Sequence, residues 1–307
     1  MTLNGDADTI VKRGESYIES GCHAIDKQEG NITDNVQISG NVDASKAGDY
    51  TVTYTVRNAA NMETSTTRTV HVVDTMDADT DGISVMMYHY IYTESNPPEE
   101  PDANYLLDTK FEAQLKWLTE NDYYFPSYEE LRAYIDGTHS LPKKSVVLTF
   151  DDAEDGFLQF GVPLLEKYQV PATSFIICGR PESAEKLTKY ASPYISFQSH
   201  SFDLHEDGNN SIGRGGRIYD LSEAELVQDC EKAIAMLGTN EAFAYPFGDV
   251  SDAAPSALKQ AGYLCAFTII NGQVKPGDDP YRLVRMRALA ESPLEGFVYQ
   301  VEHGLGD

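Results

Sequence analysis

The strongest constraint in this 307-residue chain is a change of hydrophobic period part-way along it. Up to residue 74 the period is two. Tyr50, Val52, Tyr54 and Val56 alternate with Thr51, Thr53 and Thr55, which turns one face of a strand inward. Val36 with Ile38, and Val70 with Val72, repeat the pattern. Glu29-Gly30-Asn31, Ser39-Gly40-Asn41 and Gly48-Asp49 supply turns between these runs. Residues 1–74 therefore read as a small antiparallel β-sandwich. Residues 75–82 are acidic, polar and without period, and read as a linker.

From residue 83 to 307 the pattern is strand, helix, strand. Apolar runs with β character recur at 83–88, 146–150, 173–178, 195–198, 242–245, 264–270 and 283–286. Between them lie helical stripes, such as Phe111, Leu115 and Leu118, and Leu226, Cys230, Ala233 and Leu237. Ser127 with Glu130, and Ser222 with Glu225, are capping boxes that open helices. Strands separated by helices predict a parallel sheet with right-handed crossovers, and seven or eight repeats favour closure into a barrel. Chemistry in such a barrel sits at the C-terminal ends of the strands.

Charge removes several classes of partner. Asp and Glu total 49 against 23 Lys and Arg, a net −26, and the excess is spread over both halves. Such a surface repels phosphate backbones and anionic bilayers, so a nucleic-acid partner is excluded. No apolar run approaches the roughly 18 residues of a membrane span. Cys22, Cys178, Cys230 and Cys265 lack any Cys-x-x-Cys spacing and suggest neither a zinc ribbon nor a disulfide framework; three of them fall in apolar stretches and read as buried free thiols.

Polar residues collect where strands end. The run Val146 to Phe150 ends in Asp151-Asp152, two adjacent carboxylates that repel unless a cation or base accompanies them. The run at 195–198 leads into Ser199-His200-Ser201-Phe202-Asp203-Leu204-His205. One carboxylate and two imidazoles form a set suited to Zn²⁺ or a similar divalent ion. Asp155 and Asp203 are expected to add negative charge beside it.

These motifs resemble those of the polysaccharide deacetylases, carbohydrate esterase family four. The resemblance spans residues 83–301 and rests on several motifs in order. They are Met87-Tyr88-His89, Leu141-Pro142-Lys143-Lys144-Ser145-Val146-Val147, Thr149-Phe150-Asp151-Asp152, Val170-Pro171-Ala172-Thr173, the His200 to His205 loop and Tyr245-Pro246-Phe247-Gly248. The five-residue step between the histidines resembles the branch that holds the poly-N-acetylglucosamine deacetylases. Residues 24–33, 47–54 and 69–74 likewise resemble bacterial immunoglobulin-like surface modules. The implied architecture is an N-terminal all-β immunoglobulin-like sandwich followed by an α/β distorted (β/α) barrel of the deacetylase type.

Carried over, the family pattern makes Asp151 the general base, and Asp152, His200 and His205 ligands of a divalent metal, Zn²⁺ first and Co²⁺ or Ni²⁺ otherwise. It gives the backbone N–H of Phe247 the oxyanion and places Tyr245 and Pro246 at the substrate. Two departures stand out. Ala153 follows the Asp pair where the family usually has Gly, and Ala244 stands where many members carry an Arg that pairs with the catalytic Asp. A buried barrel arginine normally wants a carboxylate, so Arg285 or Arg287 can replace it, Arg285 being favoured. The terminal histidine element of many members is not evident, which leaves His89 as the candidate acid; His23, His71 and His139 read as structural or exposed.

The expected activity is metal-dependent removal of N-acetyl groups from an extracellular or cell-wall N-acetylglucosamine polysaccharide. An O-acetyl esterase on xylan is the alternative enzyme, and a carbohydrate-binding or adhesion protein the alternative of another class. The resemblance implies a secreted or cell-surface protein whose export signal or anchor is absent from this chain, with surface or matrix contact through residues 1–74.

Overall fold

The structure, a computed structural model, describes residues 1–290 and 292–304. The N-terminal sheet comprises β1 (Asp8–Lys12), β2 (Gln37–Ser39), β3 (Gly48–Arg57) and β4 (Glu63–Val73), in the order β1-β4-β3-β2. The two-residue period does what it predicts: Val52, Tyr54 and Val56 of β3 and Val70 and Val72 of β4 bury one face against Val11 and Cys22. β3 and β4 form a long antiparallel ladder from Gly48↔Val72 to Arg57↔Glu63. One pairing departs from the antiparallel expectation. β1 runs parallel to β4, because the chain crosses over through the short pairs Thr2–Leu3 with Cys22–His23 and Ile25–Asp26 with Gly30–Asn31 before the next sheet strand forms.

The second half builds one parallel sheet. Its strands are β5 (Ser84–Tyr88), β6 (Val146–Phe150), β7 (Ala172–Ile176), β8 (Ile195–Ser199), β9 (Ala242–Ala244), β10 (Cys265–Phe267) and β11 (Met286–Arg287), in the order β10-β9-β8-β7-β6-β5-β11. β5 and β6 are buried along their whole length, as strands covered on both faces should be. Closure depends on one segment. Leu283 bridges to Phe267 on one edge strand, while Met286 and Arg287 pair with Met86 and Met87 on the other side. Residues 283–287 thus seal a distorted seven-stranded barrel.

The helices follow their sequence signals. Phe111, Leu115 and Leu118 are the buried face of α1 (Asp108–Glu120). Capping boxes open both α2 (Tyr128–Ile135) and α3 (Glu223–Leu237), each satisfying two N–H groups that a helix start leaves bare. All four cysteines are free and buried. Among the described residues no helix is long and apolar enough to cross a membrane.

The sandwich docks on the barrel near the starts of its strands, away from the strand ends. Gly5 lies so close to Ser127 that a Cβ would come within 2.6 Å of its backbone nitrogen, at a φ of +75 that only glycine adopts readily. Asn4 donates to Glu241 at 2.7 Å, Ser20 and Ser127 share a hydroxyl contact of 2.7 Å, and His23 approaches Glu241 at 3.0 Å. His139 is not exposed as the sequence suggested; it is buried, 3.7 Å from Glu15 of the sandwich. Residues 75–82 are stitched to the barrel as well: Asp79 N–H donates to Leu141 O at 2.8 Å, and Tyr134 Oη donates to the Asp79 carboxylate at 2.6 Å.

Candidate active site

Strand β6 delivers its two carboxylates in opposite directions. Asp151 continues the ladder, its N–H donating to Tyr88 O at 2.9 Å. Asp152 and Ala153 then take positive φ values of +69 and +48. A non-glycine residue in this region is strained by about 1–2 kcal/mol. The kink turns the Asp152 side chain away from that of Asp151, so two neighbours that would repel face different partners.

Asp151 faces Arg285. The guanidinium Nη1 and Nη2 donate to its two oxygens at 2.7 and 2.8 Å, while Nε donates to Thr268 O at 2.9 Å. Both residues are almost fully buried. Burial alone would raise the Asp151 pKa, but the Arg285 charge and hydrogen bonds outweigh it and hold the carboxyl below the usual range. Of the two arginines on the closing segment, Arg285 is the one that pairs with Asp151.

Asp152 faces the histidines. His200 extends from β8, and its Nδ1–H donates to Ala244 O at 2.7 Å. That bond fixes the tautomer and leaves the Nε2 lone pair aimed 3.3 Å from Asp152 Oδ1. His205 Nε2 lies 3.1 Å from the same oxygen. The loop between them is clamped by Asp229 of α3, which accepts the N–H groups of Phe202 and Asp203 at 2.9 and 2.7 Å. One ligand atom each from Asp152, His200 and His205 falls within 4.8 Å of the others, and Asp152 Oδ1 is buried without a hydrogen-bond donor among the described residues. Converging lone pairs around a buried oxygen repel unless they share a cation, so the residues fit a divalent ion.

The cleft around these groups holds about 200 Å³ and is also lined by His89, Tyr90, Asn104, Arg214, Phe247 and Arg287. His89 Nε2 stands 3.9 Å from Asp151 Oδ2, and burial lowers its pKa despite the nearby carboxylates. Phe247 adopts φ +60 in the turn Pro246–Gly248. In that turn the N–H groups of Gly248 and Asp249 are consumed by Tyr245 O and Pro246 O, whereas Phe247 N–H finds no acceptor among the described residues. Its ring lies 4.5 Å from that of His205.

Several expectations need correction. The Tyr245 side chain belongs to the core: its hydroxyl donates to Tyr281 O at 2.9 Å and its ring packs edge-on against Phe243. It follows β9, where alternation sends its ring into the core, although Tyr245 also lines the cleft. Pro246 is buried and shapes the turn. Asp155 and Asp203 do not line the cleft but pair with Lys186 and Arg217, with their own side chains 77% and 57% exposed. Asn104, Arg214 and Tyr90 were missed, since each reaches the cleft from irregular or short segments that carry no periodic signal.

Comparison with known proteins gives the same two halves. Residues 1–72 match the family "Bacterial surface protein, Ig-like domain", and residues 138–266 match "Polysaccharide deacetylase". The poly-beta-1,6-N-acetyl-D-glucosamine N-deacetylase of Staphylococcus aureus strain MSSA476 is 29% identical over 214 residues, 64% of this chain and 72% of that protein. The Staphylococcus epidermidis protein of the same name is 31% identical over 197 residues, 58% of this chain and 66% of that one. Among solved structures, the Streptococcus pyogenes deacetylase PplD in complex with acetate superposes with a TM-score of 0.62 at 24% identity. It covers 73% of this chain and 100% of its own, a likeness of fold.

Proposed function

We propose that this chain, whose residues 138–266 match the polysaccharide deacetylase family, is a hydrolase of that type that removes N-acetyl groups from an extracellular poly-N-acetylglucosamine and releases acetate. The observation that carries this reading is the division of labour on β6: Asp151 is held ionised by Arg285 while Asp152 faces His200 and His205. The relatives named for poly-beta-1,6-N-acetyl-D-glucosamine supply the substrate class, and the surface immunoglobulin-like domain supports an extracellular setting.

Asp152, His200 and His205 would hold the divalent ion, with Zn²⁺ the first choice for one carboxylate and two imidazoles. When bound, the ion polarises the acetyl carbonyl and makes water acidic enough to attack near neutral pH. Asp151 takes the proton of that water, since its remaining lone pairs face the cleft beside Arg285. Phe247 N–H donates to the oxygen that gains charge as the acetyl carbon becomes tetrahedral. His89, neutral because burial lowers its pKa, receives the proton from the Asp151 side and passes it to the departing amine nitrogen. The bond broken is acetyl C–N, and the products are acetate and a free amine.

The test pairs activity with composition. Purified protein supplied with Zn²⁺ is expected to release acetate from N-acetylglucosamine oligomers and to carry one divalent ion per chain by elemental analysis. Asp152→Ala is expected to lose both. Release from acetyl-xylan alone would replace this reading with an ester substrate, and no bound ion under metal-replete conditions would refute the mechanism.

A further inference from the structure

Two arginines line the cleft and, among the described residues, neither has a carboxylate within ion-pair distance. Arg287 follows Met286 on the sealing segment and is half-buried; its guanidinium meets the Asn104 side-chain carbonyl, a neutral acceptor. Arg214 lines the same cleft. Its turn is built rather than loose: the buried Asp249 carboxylate accepts the N–H of Arg214 at 2.9 and 3.1 Å and that of Gly216 at 2.9 Å. A Cβ on Gly213 would sit 2.3 Å from Asp249 Oδ1 at a φ of +57, so this position needs glycine for the backbone to wrap the carboxylate. Asp249 follows Phe247 by two residues, which ties the placement of Arg214 to the turn that borders the reacting atoms.

Acids outnumber bases 49 to 23 in this chain, and Arg13, Arg57, Arg132, Arg217 and Arg285 each have a carboxylate partner. Among the described residues Arg214 and Arg287 have none within 4.0 Å. Burial first, and the charge of Arg214 second, lower the Arg287 pKa even though Asp151 and Asp102 act to raise it, so the two cations feel one another. Holding like charges together in a partly buried cleft costs free energy that an intervening anion removes.

We propose that Arg214 and Arg287 form an anion-binding subsite beside the reacting position, taking a carboxylate or phosphate carried by the glycan itself. The proposal rests on the deacetylase reading of the same cleft. Guanidinium forks meet either group through paired N–H donors, so the subsite would select a polymer bearing an acidic substituent next to the acetamide that is cleaved.

Binding is tested by titration calorimetry on metal-stripped protein with three probes. These are neutral chitobiose, chitobiose 1-phosphate, and the N-acetylglucosamine–N-acetylmuramic acid disaccharide with its lactyl carboxylate. At low salt one or both anionic probes are expected to bind about tenfold more tightly than chitobiose, as charge-assisted hydrogen bonds allow. Added salt should erode the advantage, and Arg214→Gln with Arg287→Gln should abolish it. The arm that gains identifies carboxylate or phosphate. Arg214→Gln alone, at an exposed position, should lose part of the advantage and keeps the test open if the double variant does not fold. Equal affinities in the wild type, an advantage that survives both substitutions, or an arginine effect confined to free acetate would overturn the subsite. Acetate release from neutral oligomers by the Zn²⁺-loaded wild type, measured in parallel, reports separately on the deacetylase reading. An anion preference without turnover would sink that reading and leave the subsite standing.

Discussion

A carboxylate that is only 2% exposed stays ionised when a fixed cation stands beside it, and for Asp151 that cation is Arg285. In the proposed mechanism the pair has both a catalytic and a structural side, and substitution should separate them. Asp151→Asn is expected to lower kcat by about 10²–10⁴-fold, the range for losing a positioned base. It should keep the bound ion, because Asp151 is outside the Asp152, His200 and His205 set. Arg285→Met is expected to reduce kcat and also to destabilise the fold by about 3–5 kcal/mol, since it strands a buried carboxylate. Chemical denaturation and acetate release on both variants check this. The need for such a pair was legible in the sequence, because a buried barrel arginine and a catalytic aspartate each want the other. The choice between Arg285 and Arg287 was not, as both lie on one face of the segment and only the path of the seam tells them apart.

At the scale of elements, strands and capped helices were the readable part. The motif residues Asp151, Asp152, His200, His205 and Phe247 all fall on strand ends or the turns that follow, so a reading of period and motif finds them. The irregular walls of the cleft were silent. Nothing in Gly213-Arg214-Gly215-Gly216 signals that it wraps a carboxylate that follows it in sequence by more than 30 residues. Asp229, which clamps the loop between the two histidines, looks like any acidic residue of a helix. Asp249→Ala is expected to free the Gly213 turn while sparing the strands. Amide hydrogen exchange at Arg214 and Gly216 should quicken about tenfold or more, as the loss of one charge-assisted hydrogen bond would allow. Exchange in β6 and β8 should not change.

Across the whole molecule, ionisable groups gather where the two halves meet. Burial, reinforced by the charge of Glu241, pushes Glu129 up to about 8, and burial pushes Asp6 up to about 6. Burial would lower His23, but Glu241 outweighs it and raises the pKa. All three bind protons more tightly folded than unfolded, so each contributes stability that is full below its unfolded pKa and lost as pH rises through its folded one. Docking of the sandwich should accordingly weaken as pH rises from about 4 to 8, Asp6 contributing to the loss up to about 6 and Glu129 up to about 8, with thermal unfolding moving to lower temperature. Glu129→Gln should flatten that slope. A wild-type midpoint that rises across the same window would contradict the assignment.

The seam at residues 283–287 brings a last consequence. It holds the shortest strand of the barrel and touches each neighbouring edge through only a few pairings, yet it delivers Arg285 to Asp151. Fraying there would disarm the enzyme while most of its secondary structure stood intact. Heat should then extinguish acetate release several degrees before far-ultraviolet circular dichroism records a melt, and cooling from that interval should restore the activity. The barrel's least-sutured join would thus act as a thermal fuse.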